Sequence, residues 1–436
     1  MRWFRRTRCR ADRRSGDSRP AGRGLSEWGR LVSRSTSSLV RPQGGLRPAP
    51  QRTWVSRVHW ATPAWLCFAA AIILTCIGLA AIGTTRPELV AKQGALLTVG
   101  LIAAALVVWP SHRFLQWISW PMLIFVVLLL IFLLMPGVPD FVVRPRNGAR
   151  RWINLVVTDL QPSELAKVAV VLSIASWLRF RRNHRRLRGL VPPLLIALLP
   201  MGLVLLEPDL GTALLFLPTA IAMLIAAGAK MRDLLVIGLL GLLAAGAMTP
   251  MLRPHQRDRI LAMWAQIRGD TSYVDDIGYQ GQRAMTLVGA GGLSGHGEHE
   301  AARLLHWNHL PEEHNDMVFA VIITRWGLLG GLVTWALFAV MAVGGLLVAA
   351  QCREAFGRLV AVGATTLLLA QMVVNTGMTI GLMPITGMTL PFVSAGGSSL
   401  VTVWLLIGLL LNVGLRPPSR LWRESFEFGP EDDAGG

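Results

Sequence analysis

The chain has 436 residues, of which 53% are hydrophobic and 16% charged, with a formal net charge of +18. Its apolar residues fall in runs near twenty long, which excludes an ordinary soluble domain and marks an all-α, polytopic membrane protein. The positive charge does not call for a nucleic-acid partner, because most of it lies where membrane topology and anionic lipid account for it.

Residues 1–58 hold fifteen arginines against three acids and no apolar run able to form a core. They are expected to be a disordered cytoplasmic arm, with a lipid-binding arm, a transit peptide or an upstream start as sharper alternatives. Residues 59–416 follow as the membrane domain. About twenty apolar residues are needed to cross the hydrocarbon layer, and runs of that kind lie near 62–83, 93–110, 115–136, 162–178, 190–206, 210–228, 233–250, 317–350, 358–380 and 396–415. Ten crossings place both termini on one side. On that side fall the arm, "SHR" at 111, "RFRRNHRRLR" at 179, "KMR" at 230, "CREAFGR" at 352 and the tail from Arg416, all basic, as cytoplasmic segments should be. Residues 417–436 form a short cytoplasmic tail. The four cysteines imply no disulfide framework.

Two connections on the opposite, outer side are long, residues 137–161 and the large loop 251–315 between helices seven and eight, and loops of that length tend to carry function. In the first, "RPRNGARRWINLVVTDLQPSELAK" sets Arg144, Arg146, Arg150 and Arg151 where positive charge is disfavoured. Guanidinium forks suit phosphate oxygens, although an ordinary headgroup contact explains them equally well. Pro162 and Ser163 open a helix on which Glu164 and Lys167 share a face. Charges inside a membrane cost about 2.5–3.5 kcal/mol each and tend to pair or face a cavity. The plainer reading is an interfacial pair with Lys167 reaching outward. "LLEPDLGTALL" adds Glu207 and Asp209 at the next outer junction; Asp209 reads as a helix N-cap, whereas Glu207 has no such explanation.

In the large loop, "YQGQRAM" brings Tyr279, Gln280 and Gln282 as candidate sugar contacts, or as one face of a capped amphipathic helix. The glycine series "GAGGLSGHG" at 289–297 lacks the lysine and the strand–helix frame of a nucleotide site, so its glycines serve tight turns or close approach to a ligand. Five of the nine histidines crowd the end of the loop, but "HLPEEH" matches no zinc-helix pattern, and no metal site is assigned. Asp316, in "HLPEEHNDMVFAVI", stands at the mouth of the eighth crossing. Spacing alone favours a capping role for it or Asn315; the alternative is a general base, an ionised carboxylate open to water.

Taken together, these segments resemble the SEDS family, the RodA and FtsW type of peptidoglycan polymerase. The matching pieces are "NGARRWI", "QPSELAK", "PDLGTA", "YQGQ" with "GAGGLSGHG", "LPEEHNDMVFAVI" and "GLMPITGMTLPFVSAGGSS", in family order across residues 147–399. The resemblance implies polymerisation of lipid II at the outer leaflet of the bacterial inner membrane, in elongation or division. The acceptor's GlcNAc 4-hydroxyl attacks the donor's MurNAc C1 with inversion, and undecaprenyl diphosphate leaves. Asp316 becomes the catalytic base, and Glu164 with Lys167 the charged pair of the fourth helix. Arg150, Arg151, Glu164, Lys167, Glu207, Tyr279, Gln280, Gln282, Ser398 and Ser399 are the candidate substrate-binding residues. A class B penicillin-binding protein is the implied partner; no cofactor is required, though a divalent cation is compatible. The chain departs from the family where Thr324 and Arg325 replace two glutamates, where Ala395 replaces a tyrosine, and before Tyr279, where an Asp-Pro is missing. Arg325 would need an acid such as Glu207. The rival readings are a lipid-linked oligosaccharide flippase or transporter, for which the same charges line a path, and an inactive assembly scaffold.

Overall fold

In lipid every backbone N–H and C=O must be bonded within the protein, so long apolar runs fold as helices. The computed structural model describes residues 60–136, 138–139, 141–146, 149–154, 159–179, 187–248 and 278–416, together with Asp258, Leu261, Trp264 and Arg268. The arm at 1–58, the tail at 417–436 and most of 249–277 lie outside the described residues. The helices are α1 (Ala64–Thr85), α2 (Glu88–Val108), α3 (His112–Leu134), α4 (Pro162–Leu178), α5 (Leu187–Leu206), α6 (Leu210–Ala227), α7 (Met231–Met248), α8 (Tyr279–Ala290), α9 (Gly297–Asn308), α10 (Val318–Gln351), α11 (Ala355–Thr379) and α12 (Gly397–Gly414).

All ten expected crossings occur as helices, in order: α1 to α7 and α10 to α12. Eight of them have the length and apolarity to span a membrane. Besides these, α4 is only 17 residues long and carries Glu164 and Lys167, and α7 is an 18-residue apolar helix, several of whose side chains lie outside the described residues. The protein is thus a polytopic helical membrane protein. The 137–161 connection adds a feature the all-α expectation did not contain, a three-stranded antiparallel sheet of β1 (Val143–Arg146), β2 (Ala149–Asn154) and β3 (Asp159–Leu160). Pairing between strands satisfies backbone groups of a connection too short to form another helical hairpin.

α4 is the central pillar. Fourteen of its residues are buried, and it packs against α3, α5, α6, α11 and α12. A helix walled on all sides can carry charge only if the charge is met inside the bundle. Around it, α2 lies so close to α12 that a Cβ on Gly408 would stand 2.6 Å from the Ala104 carbonyl oxygen. Small residues permit that approach where no hydrophobic effect drives helix pairing in lipid.

The large loop folds back on the bundle through α8 and α9, which both pack on α10. There α10 is broken at Gly327, whose φ of 69° and ψ of −166° interrupt the helix. The glycine series explains itself at this break. Leu328 and Leu329 donate backbone N–H bonds to the carbonyls of Gly292 and Leu293 at 2.9 and 3.2 Å, and His296 donates to Thr324 at 3.1 Å. A side chain on Gly291 or Gly295 would collide with the α10 backbone. The close approach is therefore to another segment of the chain and not to a ligand.

Candidate active site

The turn between α5 and α6 is built from Glu207, Pro208 and Asp209. Asp209 is the N-cap of α6, as expected, its Oδ1 accepting from Thr212 N at 3.2 Å. Its Oδ2 accepts from Gln161 Nε2 at 3.0 Å and Ser163 Oγ at 3.4 Å, which ties α6 to the start of α4. Glu207 is quite different. It is 2% exposed, and neither carboxyl oxygen has a hydrogen-bond partner. Burial, with a smaller push from Asp209 and a counteracting pull from Arg151, raises its carboxyl to about 9. Arg151, on β2, donates from Nε to the Glu207 carbonyl at 3.0 Å and from Nη2 to the Pro208 carbonyl. The guanidinium expected to hold phosphate is thus largely occupied with this turn. Arg150 lies beside it on β2 and is half-buried.

One turn into α4, Lys167 Nζ stands 2.8 Å from Glu164 Oε2. That oxygen has no hydrogen-bond partner, so the contact is an ion pair. Lys167 is 1% exposed and does not reach outward; the interfacial reading fails because α4 is enclosed by its neighbours. Its ammonium donates instead to Gln371 Oε1 on α11 at 3.2 Å. Gln371 Nε2 in turn donates to Thr389 O at 3.0 Å and Oγ1 at 3.2 Å, and Thr389 Oγ1 lies 2.7 Å from Ser399 Oγ. Ser398 donates to the Asp159 carbonyl at 2.6 Å and accepts from Gln161 N at 3.1 Å. Both serines therefore hold α12 to its neighbours.

Asp316 lies at the same end of the bundle. It is 8% exposed. The N-cap of α10 is Met317, which offers no side-chain cap, and Asp316 directly precedes it. Asn375, buried on α11, donates to the Asp316 carbonyl at 2.8 Å and to the Met388 carbonyl at 2.6 Å. Gly387 comes so close that a Cβ there would sit 3.5 Å from Asp316 Oδ2. The segment 384–390, which has no regular structure, thus borders Asp316 through Gly387 and joins the Lys167 network through Thr389.

Gln371 and Asn375 were not among the sequence-derived candidates. With Thr379 they recur every fourth residue on one face of an apolar helix, and polar residues repeated in that way inside a membrane span are the signal that finds them. Tyr279, Gln280 and Gln282 lie apart on α8, which buries Gly281, Ala284 and Leu287 and has no side-chain cap. Arg283 covers the Tyr279 ring at 4.9 Å, and Gln280 Nε2 donates to Pro311 O at 3.3 Å.

Arg325 does not meet Glu207. Its Nη2 lies 2.5 Å from Glu298 Oε2 on α9, and its Nη1 donates to Ala80 O and Thr84 Oγ1 on α1, each at 2.6 Å. A cation that points to α1 and α9 is spent on the α10 break, outside the Asp316 network. Of the loop histidines, His306 and His309 lie ring to ring at 5.9 Å, His296 binds the Ala290 carbonyl at 2.8 Å, and burial lowers His314 below its usual range. Among the described residues no group of three or more His, Cys, Asp or Glu side chains is placed to hold a metal ion.

The arrangement matches known proteins in sequence and in fold. Residues 58–416 match the family of FtsW, RodA and SpoVE, described as cell cycle protein. Stage V sporulation protein E of Bacillus subtilis (strain 168) is 33% identical over 73% of this chain and 85% of its own length. A probable peptidoglycan glycosyltransferase FtsW of Pseudomonas fluorescens (strain SBW25) is 32% identical over 84% of this chain and 91% of its own. Among solved structures, a chain from a study of how a peptidoglycan synthase complex coordinates polymerization and crosslinking superposes with a TM-score of 0.69. It is 32% identical, covering 80% of this chain and 97% of that one. The rod shape determining protein RodA of Thermus thermophilus gives a TM-score of 0.59 at 28% identity, over 81% of this chain and 97% of its own.

Proposed function

Because the chain belongs to the FtsW, RodA and SpoVE family of cell cycle proteins, we infer that it works as a peptidoglycan glycosyltransferase, polymerising lipid II with Asp316 as the general base. The observation that supports this reading is the shared segment 384–390, which brings the Asp316 carboxylate and the Glu164–Lys167 pair to one end of the bundle. The acceptor's 4-hydroxyl gives its proton to Asp316 as its oxygen bonds to the donor's C1. The bond from C1 to the phosphate oxygen breaks, and its electron pair leaves on undecaprenyl diphosphate. General-base help of this kind contributes about 10² to 10⁴ in rate. Asn375 holds the backbone at Asp316 and keeps the base in place. Lys167, with Arg150 and the remaining Nη1 of Arg151, supplies positive charge toward the departing diphosphate. Ser398, Ser399 and the α8 residues Tyr279, Gln280 and Gln282 shape the walls along which the glycan passes.

The basic residues Arg113, Lys230, Arg232, Arg353, Arg358 and Arg416 mark the end opposite Asp316 as cytoplasmic. Asp316 then faces the outer leaflet of the bacterial inner membrane, where a class B penicillin-binding protein is the partner that crosslinks the product. Arg325 has its acid in Glu298 and not in Glu207. The test uses purified protein with its transpeptidase partner and fluorescent lipid II. Glycan chains form with the wild type and vanish with Asp316→Asn; equal polymerisation by that variant removes the base, and leaflet exchange without polymer assigns transport.

A further inference from the structure

A buried carboxyl with no partner is destabilising, and more so if charged. Most groups in that position are bonded or replaced. Glu207 is neither. Both of its oxygens lack a partner at 2% exposure, in the turn that Arg151 clasps from β2. Among the described residues, the charged groups that act on its carboxyl are Asp209 and Arg151. Asp209 is bonded to Gln161, Ser163 and Thr212 and not to Glu207. Arg151 bonds the carbonyls of Glu207 and Pro208 and leaves the Glu207 carboxyl unmet. On α4, which packs against α5 and α6, Glu164 and Lys167 are closed on each other. The spans 189–206 and 210–227 of α5 and α6 contain no titratable residue.

We propose that Glu207 is kept as an uncharged carboxylic acid and donates its O–H to an oxygen of the lipid-linked diphosphate as the glycosyl bond breaks. This rests on the glycosyltransferase reading above. With Glu207 neutral, the turn carries one cation, Arg151, and one anion, Asp209, and accepts a phosphate; with Glu207 ionised, a second bare anion would repel it. The acid is not consumed. Asp316 takes the proton of the attacking hydroxyl, the electron pair of the broken bond leaves on the diphosphate, and the Glu207 proton is shared with that anion without being lost to it. An uncharged acid that acts as a donor in this way has a low cost of reorganisation, because its proton is already in place.

Raised to about 9, the carboxyl ionises as pH climbs through that value, so polymerisation should fall on the alkaline side and the KM for lipid II should rise with it. Glu207→Gln keeps an uncharged donor: it should retain a tenth or more of wild-type turnover near pH 7, and its profile should lack the alkaline limb. Glu207→Ala should lose about a hundredfold. An independent readout is the infrared C=O stretch of a protonated carboxyl, present near pH 7 in the wild type and missing in Glu207→Gln. Persistence of the alkaline limb in Glu207→Gln, or a loss in that variant as deep as in Glu207→Ala, overturns the proposal. Failure of the base assignment reads out separately, through Asp316→Asn, and leaves the infrared band where it is.

Discussion

The two ends of the helix bundle both gather polar side chains but use them differently. At the end that holds Glu354, one carboxylate serves several helices. It takes a bond from His112 Nδ1 at 2.6 Å and from Gln116 Nε2 at 3.3 Å, with Arg179 Nη2 at 3.8 Å. Nearby, Asn412 donates to the carbonyls of Val107, Val108 and Pro110, each within 2.9 Å. Among the described residues, the hydrogen-bonding gaps at this end are single atoms, His112 Nε2 and Asn412 Oδ1, on groups otherwise held. At the Asp316 end a whole carboxyl, Glu207, has no partner, and the Glu164–Lys167 pair is buried inside the central helix. The first arrangement stabilises; the second leaves a whole buried carboxyl without a partner.

Single substitutions sharpen the contrast. The largest effect is expected at Lys167. Lys167→Met leaves Glu164 charged and enclosed, and breaking a buried pair by removing one partner costs about 3–5 kcal/mol. Thermal melting in detergent should show it, while Glu164→Gln combined with Lys167→Met should recover most of the stability and none of the activity. A variant in which Lys167→Met melts like the wild type would mean that the pair is hydrated.

Glu207→Gln should move stability in the other direction. Because the folded carboxyl is raised, the unfolded chain ionises first, and stability is lost as pH climbs from the ordinary value of 4.5 toward about 9. At about 1.4 kcal/mol per pH unit, the amide should melt higher by about 3 kcal/mol near pH 7. That advantage should disappear below pH 4.5. No gain at neutral pH would show that Glu207 is ionised in the folded protein.

Asn375→Ala comes next. It removes the bonds to the Asp316 and Met388 carbonyls and should cost about 2 kcal/mol. If the Asp316 backbone depends on it, kcat should fall at least tenfold with little change in KM, as misplacement of a catalytic group does. A loss of stability with intact kcat would make Asn375 purely structural.

The smallest change belongs to the opposite end. Glu354 has a side chain 39% exposed, and Glu354→Gln should cost about 1 kcal/mol and leave polymerisation unaltered. The bond from His112 chiefly holds the Glu354 carboxyl below its usual range. Its contribution is therefore present above the ordinary carboxylate value and lost as pH falls through the lower, folded one. Melting curves in acid should converge for wild type and variant. An equal loss of activity in this variant would break the division between the two ends.

The sequence by itself determined the membrane class, the order of the helices and the long connections at one end. Hydrophobic run length and arginine placement are local quantities, and the bilayer reads them locally. It also singled out Asp316, Glu164, Lys167, Glu207 and Asp209, because charge at the edge of an apolar run stands out whatever the fold. Only the tertiary structure decided what each one meets. Lys167 meets Gln371, 204 positions away, Arg325 meets Glu298 in place of Glu207, and the glycine series packs on a broken helix and not on a ligand. Partners so far apart in the chain are set by which helix faces which, and one sequence carries no record of that pairing until the helices pack.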